Sequence, residues 1–138
     1  MKRLVLDQRE LYGEWARARI PCVPSWGEWY QAIGLEDDGR PIAAVIYNLF
    51  SGADIAMHVA AEGKRWMTRE YLAACFRYPF LQLGCRRVTA YVAASNSQAL
   101  RFNYHLGFKF EGLMQEAMEN GDNVVVMGML KRNCRWTQ

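Results

Sequence analysis

Basic residues collect in a short segment between a predicted strand and a predicted helix. Lys64, Arg65 and Arg69 lie within or directly after the sequence Gly63-Lys64-Arg65-Trp66-Met67-Thr68. A helix N-terminus presents unpaired amides and the positive end of the helix dipole, so this segment favours binding of a phosphate or diphosphate. An ordinary solvated turn would carry the same charges, and the segment alone leaves both interpretations open.

Two side chains on the preceding strand could accept a proton. His58 and Asp54 are predicted to share one face of a strand, because four residues separate them. Histidine titrates close to neutrality, so His58 is a candidate general base, with Asp54 and the carboxylate of Glu111 as alternatives. Two other interpretations remain: a histidine whose hydrogen bonds are satisfied in the sheet, and direct attack in which positioning supplies the rate.

A third segment carries amide and phenol groups along one predicted helix. The Ser-x-x-Gln sequence that begins at Ser95 predicts a capping box, and Gly107 predicts the left-handed residue that ends the helix. Asn96 then lies at the end of a buried strand. Asn103 and Tyr104 lie near the helix C-terminus, from which they could reach a cleft.

Hydrophobic periodicity and turn residues predict the elements that position these segments. The turn residues are Asp38-Gly39 and Asn120-Gly121, which are typical of hairpins. We expect strands over 3–6, 30–35, 41–50, 53–59, 87–94, 108–118 and 123–130, and helices over 9–20, 65–78 and from Asn96 to Leu106. The strands 53–59 and 87–94 would be parallel, joined through a helix as a right-handed βαβ unit.

The composition is that of one globular domain. The chain has 138 residues, of which 51% are hydrophobic and 22% charged. A net charge of +3 suits an anionic small molecule but is too weak to indicate nucleic acid. The apolar run from Ile42 to Phe50 is too short to span a membrane, and Asp7 interrupts the N-terminal apolar run, so we expect no membrane anchor or signal peptide.

The cysteines are spaced too widely for a metal site or a redox motif. Their number and positions predict no metal and a cytoplasmic protein with reduced, mostly buried thiols. The residues are Cys22, Cys75, Cys85 and Cys134.

The segment from Asn96 to Gly107 resembles the Asn-x-x-Ala/Ser…Leu-Gly-Phe signature of the GNAT superfamily of acyl-CoA N-acyltransferases. The sequence Lys109-Phe110-Glu111-Gly112-Leu113 and the strand after Asn120-Gly121 are also similar to that family's closing strands. The resemblance implies one domain over 1–138 of class α/β (α+β): a mixed, mostly antiparallel sheet of about six or seven strands with a splayed parallel pair, flanked by three or four helices.

The resemblance also implies a coenzyme A site. Main chain of the fourth strand would face the pantetheine arm, the basic segment would hold the pyrophosphate, and two asparagines would complete the site. The implied cofactor-binding residues are Met57, His58, Val59, Gly63, Lys64, Arg65, Trp66, Met67, Thr68, Asn96 and Asn103.

The sequence departs from the family pattern at two places. The pyrophosphate loop of the family reads Gln/Arg-x-x-Gly-x-Gly/Ala, whereas here Gly63, Trp66 and Thr68 occupy its three defined positions. The tyrosine that many members use as a proton donor corresponds to Asn103, and Tyr104 is one residue later, about 100° around the helix. The candidate catalytic residues are therefore His58, Tyr104 and Asp54, with no single assignment of acid or base.

These observations predict an N-acetyltransferase that moves an acetyl group from acetyl-CoA to a primary amine by direct transfer in a ternary complex. The acceptor would be a small molecule or a peptide, and an exposed strand edge would allow a homodimer. Two alternatives remain: a GNAT-like protein that binds acyl-CoA without catalysis, and a module that binds protein or RNA through its basic residues.

Overall fold

The computed structural model describes residues 1–21 and 23–138, so the prediction for Cys22 lies outside the described residues. Among the described residues seven strands form one sheet in the order β1-β2-β3-β4-β5-β7-β6. The strands are β1 (Lys2–Val5), β2 (Tyr30–Asp37), β3 (Arg40–Asn48), β4 (Ala56–Ala61), β5 (Arg87–Ala93), β6 (Lys109–Met114) and β7 (Val124–Leu130). The α-helices are α1 (Arg9–Arg17), α2 (Arg69–Arg77) and α3 (Ser97–Leu106). The mixed, mostly antiparallel fold class is thereby confirmed.

The meander β2-β3-β4 follows from its first turn. Asp37 pairs with Arg40, and the two residues between them have positive φ, 50° at Asp38 and 82° at Gly39. A two-residue turn with positive φ at both positions matches the twist of an antiparallel hairpin, which is why Asp-Gly is favoured there. The predicted hairpin is confirmed, although both strands differ from their predicted lengths by a few residues.

The parallel pair β4–β5 is joined only at its start. The single registered pair is Ala56 with Thr89, and the amide of Thr89 donates to the carbonyl of Ile55 at 2.9 Å. Beyond this point the two strands carry no registered pairs among the described residues, so the sheet opens toward their C-terminal ends. The predicted splayed pair is therefore present, and its opening lies beside the N-termini of α2 and α3.

Two apolar cores cover the two faces of the sheet. The larger core contains side chains of α2, α3 and the C-terminal segment, including Phe76, Phe108 and Trp136. The smaller core lies under α1 and includes Tyr12, Trp26 and Ile46. Each face of β4 therefore meets a different environment.

Several predicted boundaries were wrong for local reasons. Helix α2 begins at Arg69 and not at residue 65, because Thr68 is its N-cap: Thr68 Oγ1 accepts from the amide of Tyr71 at 3.1 Å. Helix α3 is capped by Asn96, whose Oδ1 accepts from the amide of Ala99 at 3.1 Å, so the predicted Ser95 capping box was wrong. Gly107 ends α3 at φ 118°, as predicted.

Three further boundaries differ from the sequence-based prediction. Helix α1 ends at Arg17, earlier than predicted. Helix α2 ends at Arg77, within one residue of the prediction, and Pro79 lies in the π-helical segment Tyr78–Gln82 that follows it. Strand β6 ends at Met114, so residues 115–123 form a longer connection than the Asn120-Gly121 turn predicts. Strand β4 begins at Ala56, and the predicted start at residue 53 was wrong.

Candidate functional site

The opening between β4 and β5 exposes backbone groups of alternate β4 residues. The carbonyls of Ala53 and Ile55 accept hydrogen bonds from amides at the start of β5, whereas the amide of Glu62 donates to the carbonyl of Ile42 near the start of β3. Because main-chain groups alternate sides along a strand, Met57 and Val59 direct theirs toward the opening.

His58 lies between Met57 and Val59, so its backbone faces β3, where the opposite residue is Ile46. The prediction that main chain of His58 faces the cofactor was therefore wrong, because only every second residue of a paired strand has groups to offer on its free side. The main chain of Met57 and Val59 retains its predicted orientation.

The opening continues into a narrow apolar cleft between β4, α2 and α3, which side chains almost fill. Asn103 lines this cleft, and its Nδ2 donates to the carbonyl of Ala99 at 3.0 Å. The other lining residues are Val45, Met57, Val59, Trp66, Leu72, Cys75, Phe76, Phe102, Leu106 and Phe108. An amide among apolar side chains can orient one polar group of a ligand without binding a charge.

Trp66 fills the side of the cleft next to the basic segment. Its side chain is buried, with 6% relative exposure, and its ring contacts Phe102 edge-on at a centroid separation of 5.3 Å. Its Nε1 donates to the carbonyl of Gly63 at 3.1 Å, which ties the indole to its own loop. Where the family pattern has a glycine, this chain therefore has a bulky ring that forms part of the core.

The N-terminus of α2 presents the expected anion-binding features in part. The amides of Arg69 and Glu70 lie in the first turn, where amides have no intrahelical partner, and Lys64 is an exposed residue of the segment that precedes the helix. Arg65 forms an ion pair with Asp37, which holds its guanidinium toward the β2–β3 turn. The site therefore combines two first-turn amides with the charges of Lys64 and Arg69, and the hydroxyl of Thr68 already serves as the cap.

His58 directs its side chain to the opposite face of β4, away from the cleft-lining side chains of Met57 and Val59. Its Nε2 lies 2.9 Å from Asn48 Oδ1, and its ring lies 4.9 Å from the Trp26 ring, centroid to centroid. Burial lowers the pKa of His58 to about 4, so the imidazole is neutral at physiological pH. A neutral imidazole has one nitrogen free to accept a proton.

Asp54 does not share a strand with His58, because it precedes β4. Its Oδ1 accepts a hydrogen bond from Thr89 Oγ1 at 2.8 Å and lies 3.5 Å from Arg87 Nε. The same guanidinium binds Glu111, with Nη2 to Oε1 at 2.8 Å. Both carboxylates therefore pair with Arg87, whose single positive charge offsets one of their two negative charges, and the structure gives neither a contact with His58; the shared-face prediction for Asp54 was wrong.

Tyr104 and Asn96 lie outside the cleft lining. The Tyr104 side chain is exposed, at 70%, because the one-residue offset from Asn103 turns it away from the core. Asn96 is exposed and caps α3. Met67 is also exposed, at 42%.

Sequence reasoning missed Asn48, which interrupts an otherwise apolar strand. Asn48 is buried, at 8% exposure, and connects His58 to the carbonyl of Trp26, to which its Nδ2 donates at 3.1 Å. A single amide within the apolar run from Ile42 to Phe50 was the available signal, because buried polar side chains require partners.

The cysteines that the structure describes are buried, free thiols, at Cys75, Cys85 and Cys134. No cluster of histidine, cysteine, aspartate or glutamate side chains within 1–21 and 23–138 has the geometry to hold a metal ion. Over the same described ranges, none of the helices is long and apolar enough to cross a membrane.

Several solved structures that resemble this fold are acetyltransferases. No protein-family model matches the sequence, and no curated protein is significantly similar to it. Among solved structures, a spermidine/spermine N-acetyltransferase from Vibrio cholerae superposes with a TM-score of 0.76 at 15% identity, covering 96% of each chain. A ribosomal-protein-S5-alanine acetyltransferase from Vibrio fischeri superposes with a TM-score of 0.64 at 15% identity, covering 79% of this chain and 64% of that chain. A probable acetyltransferase superposes with a TM-score of 0.63 at 22% identity. That match covers 75% of this chain and 63% of the other protein's length.

Proposed function

We propose that this chain, which has the GNAT acyl-CoA N-acyltransferase fold, transfers an acetyl group from acetyl-CoA to a primary amine by direct transfer in a ternary complex. The observation that carries the proposal is the opening between β4 and β5, where main chain of Met57 and Val59 is free beside the N-terminus of α2. We further propose that residues 1–138 act as a single domain and that the protein works in the cytoplasm.

The residues at this opening fit coenzyme A in two respects. Free amide and carbonyl groups on a strand edge can pair with the amides of a pantetheine arm, as they would with another strand. Lys64, Arg69 and the first-turn amides of α2 suit a diphosphate. Trp66 narrows the space between these two parts, so we expect weaker binding than a glycine at this position would allow.

We assign to His58 the proton that the amine loses; its low pKa keeps the imidazole unprotonated but makes it a weak base, so proton transfer to it would follow attack on the thioester. Bound acetyl-CoA would supply an activated carbonyl, and the amine nitrogen must be unprotonated to attack it. The neutral imidazole offers one free nitrogen on the α1 face of β4. We propose this face as the acceptor side and the α2–α3 face as the acetyl-CoA side.

Asn103 is the polar side chain that lines the cleft, and we propose that it orients the thioester end of the cofactor. Tyr104 stays a sequence-based candidate for the proton donor to the thiolate, although its exposed position favours proton transfer from water. Asp54 and Glu111 are assigned to holding Arg87 and not to proton transfer.

A second candidate function is binding of acyl-CoA without turnover. The specific observation in its favour is the buried Trp66 ring at the loop position where the family has glycine. The two functions separate in one pair of measurements. Calorimetry with acetyl-CoA measures binding, and thiol release in the presence of a panel of amines measures transfer. Binding without thiol release would support the second candidate, and absence of binding would refute both.

The anion site has a matched control within the chain. We expect the double variant Lys64→Ala/Arg69→Ala to bind acetyl-CoA about tenfold more weakly, because both charges are exposed and screened by salt. Lys131→Ala/Arg132→Ala removes the same net charge from exposed residues after β7 and should leave affinity unchanged. Equal losses in both variants would indicate a nonspecific effect of charge and would contradict the assigned site.

We propose that the protein also associates with copies of itself. One of the structures similar to this fold is a dodecameric spermidine N-acetyltransferase from Vibrio cholerae. Strand β6 is an edge strand whose apolar side chains are exposed, with Phe110 at 63% and Leu113 at 47%. An unpaired apolar edge can pair with a second copy. Sedimentation of the wild type and of Phe110→Lys tests this, with the variant expected to be smaller.

A further inference from the structure

Asn48, Trp26 and His58 form a chain of interactions on the α1 face of the sheet. Asn48 lies on β3, diagonally across from His58 on β4, because the residue directly opposite His58 is Ile46. Diagonal neighbours on adjacent strands are close enough for polar side chains to meet. Trp26 lies in the connection between α1 and β2, and its ring packs against the imidazole of His58.

The orientation of the Asn48 amide is fixed by its other partner. Nδ2 lies 3.1 Å from the Trp26 carbonyl, which can only accept a hydrogen bond. The amide oxygen must therefore point to His58, where Oδ1 lies 2.9 Å from Nε2. A reversed amide would set its oxygen against the Trp26 carbonyl and leave both oxygens without donors.

An amide oxygen that accepts from His58 requires a proton on Nε2. A neutral imidazole carries one proton, so Nδ1 is then the nitrogen with the free electron pair. Trp26 holds the ring plane on one side and is itself fixed, because its Nε1 donates to the carbonyl of Gly13 at 2.9 Å. Both the rotation of the ring and the location of its proton are therefore set by neighbours.

We propose that Asn48 is a positioning residue that holds His58 in the Nε2–H tautomer, so that Nδ1 is the atom that accepts a proton. The tautomer is a property of the folded chain alone, whereas its use in catalysis rests on the proposed function. A failure of the proposed function would therefore leave the tautomer assignment standing, and the two are tested separately.

Nitrogen-15 spectra that correlate ring nitrogens with ring protons measure the tautomer directly. The chain has two histidines, and the exposed His105 serves as an internal reference for an imidazole without a fixed tautomer. At pH 7 we expect His58 to show one protonated and one unprotonated nitrogen, with the proton on Nε2. A proton on Nδ1, or an averaged pattern like that of His105, would overturn the proposal without any activity measurement.

Substitutions at position 48 test whether Asn48 is the cause. Asn48→Leu and Asn48→Ala both remove the oxygen acceptor and should move the His58 signals toward the averaged pattern. Ile46→Val, on the same strand and opposite His58, is the packing control and should leave the tautomer unchanged. An unchanged His58 pattern in folded Asn48→Leu would refute the role of Asn48; if that variant does not fold, an unchanged pattern in Asn48→Ala would refute it instead.

The kinetic readout separates positioning from binding. If the protein transfers acetyl groups, Asn48→Leu should lower kcat about tenfold or more with a smaller change in KM, and Asn48→Ala should lower kcat similarly. Equal kcat in wild type and Asn48→Leu would show that His58 does not act through this tautomer.

Discussion

Replacing Trp66 with glycine tests the relation between core packing and the cofactor site. The indole is 6% exposed, contacts Phe102 and Tyr71 at ring separations of 5.3 and 6.3 Å, and donates one hydrogen bond to Gly63. Truncation of a buried tryptophan typically costs about 3–5 kcal/mol in the free energy of unfolding. For a domain of this size that loss lowers Tm by roughly 10–20 °C.

The same change should strengthen cofactor binding, because the cleft widens and the loop backbone can approach a diphosphate more closely. Trp66→Phe is the matched variant: it keeps an aromatic ring but loses the hydrogen bond, so it should cost about 1–2 kcal/mol and leave affinity nearly unchanged. Thermal unfolding measures stability, and calorimetry at 10 °C measures acetyl-CoA affinity where Trp66→Gly remains folded. A Tm loss below about 3 °C would refute the packing argument, and weaker acetyl-CoA binding by folded Trp66→Gly would refute the steric one.

Three further predictions concern stability and ionisation. Gly34→Ala should destabilise the fold by about 2 kcal/mol or more in urea unfolding, because a Cβ would lie 2.3 Å from the Tyr12 ring, whereas Gly112→Ala, with nothing within 4 Å, should cost less than about 1 kcal/mol. Burial lowers the pKa of His58 from 6.5 to about 4, so the folded protein disfavours the charged imidazole. The free energy of unfolding should therefore be unaffected by His58 above pH 6.5 and should fall, by at most about 3 kcal/mol, as the pH decreases toward 4. In urea unfolding, His58→Gln should reduce this decline. Burial raises the pKa of Cys75 from 9.0 to about 12, so its thiol should resist alkylation at pH 8 until the chain unfolds. For the same reason the free energy of unfolding should fall as the pH rises above 9. Rapid alkylation of Cys75 in the native protein, identified by peptide mass, would contradict its burial.

The sequence correctly predicted those turns and helix ends that depend on one or two adjacent residues. The Asp38-Gly39 turn and the Gly107 helix end follow from positive φ, which few other residues tolerate. The Ser95 capping box failed because Asn96, one residue later, offered an equivalent acceptor. Competing caps of similar strength cannot be ranked without the packing of the helix they begin.

The sequence predicted which segments contribute to the candidate site, but it did not predict the contacts that their side chains make. The basic segment does meet the N-terminus of α2, yet Arg65 is diverted to Asp37, a residue distant in sequence. The Asp54–His58 pair failed because strand β4 begins two residues after Asp54, and its carboxylate meets Arg87 and Thr89 instead. Long-range ion pairs of this kind have no signature in local sequence.

The sequence by itself determined the order of helices and strands, the turns that join them and the segment that resembles acyl-CoA N-acyltransferases, because these depend on residues adjacent in the chain. Only the tertiary structure decided which β4 residues offer main chain to the opening, that Trp66 fills part of the cleft, and that Asn48 meets His58. Strand register and side-chain packing set these outcomes, and both depend on contacts between residues far apart in sequence.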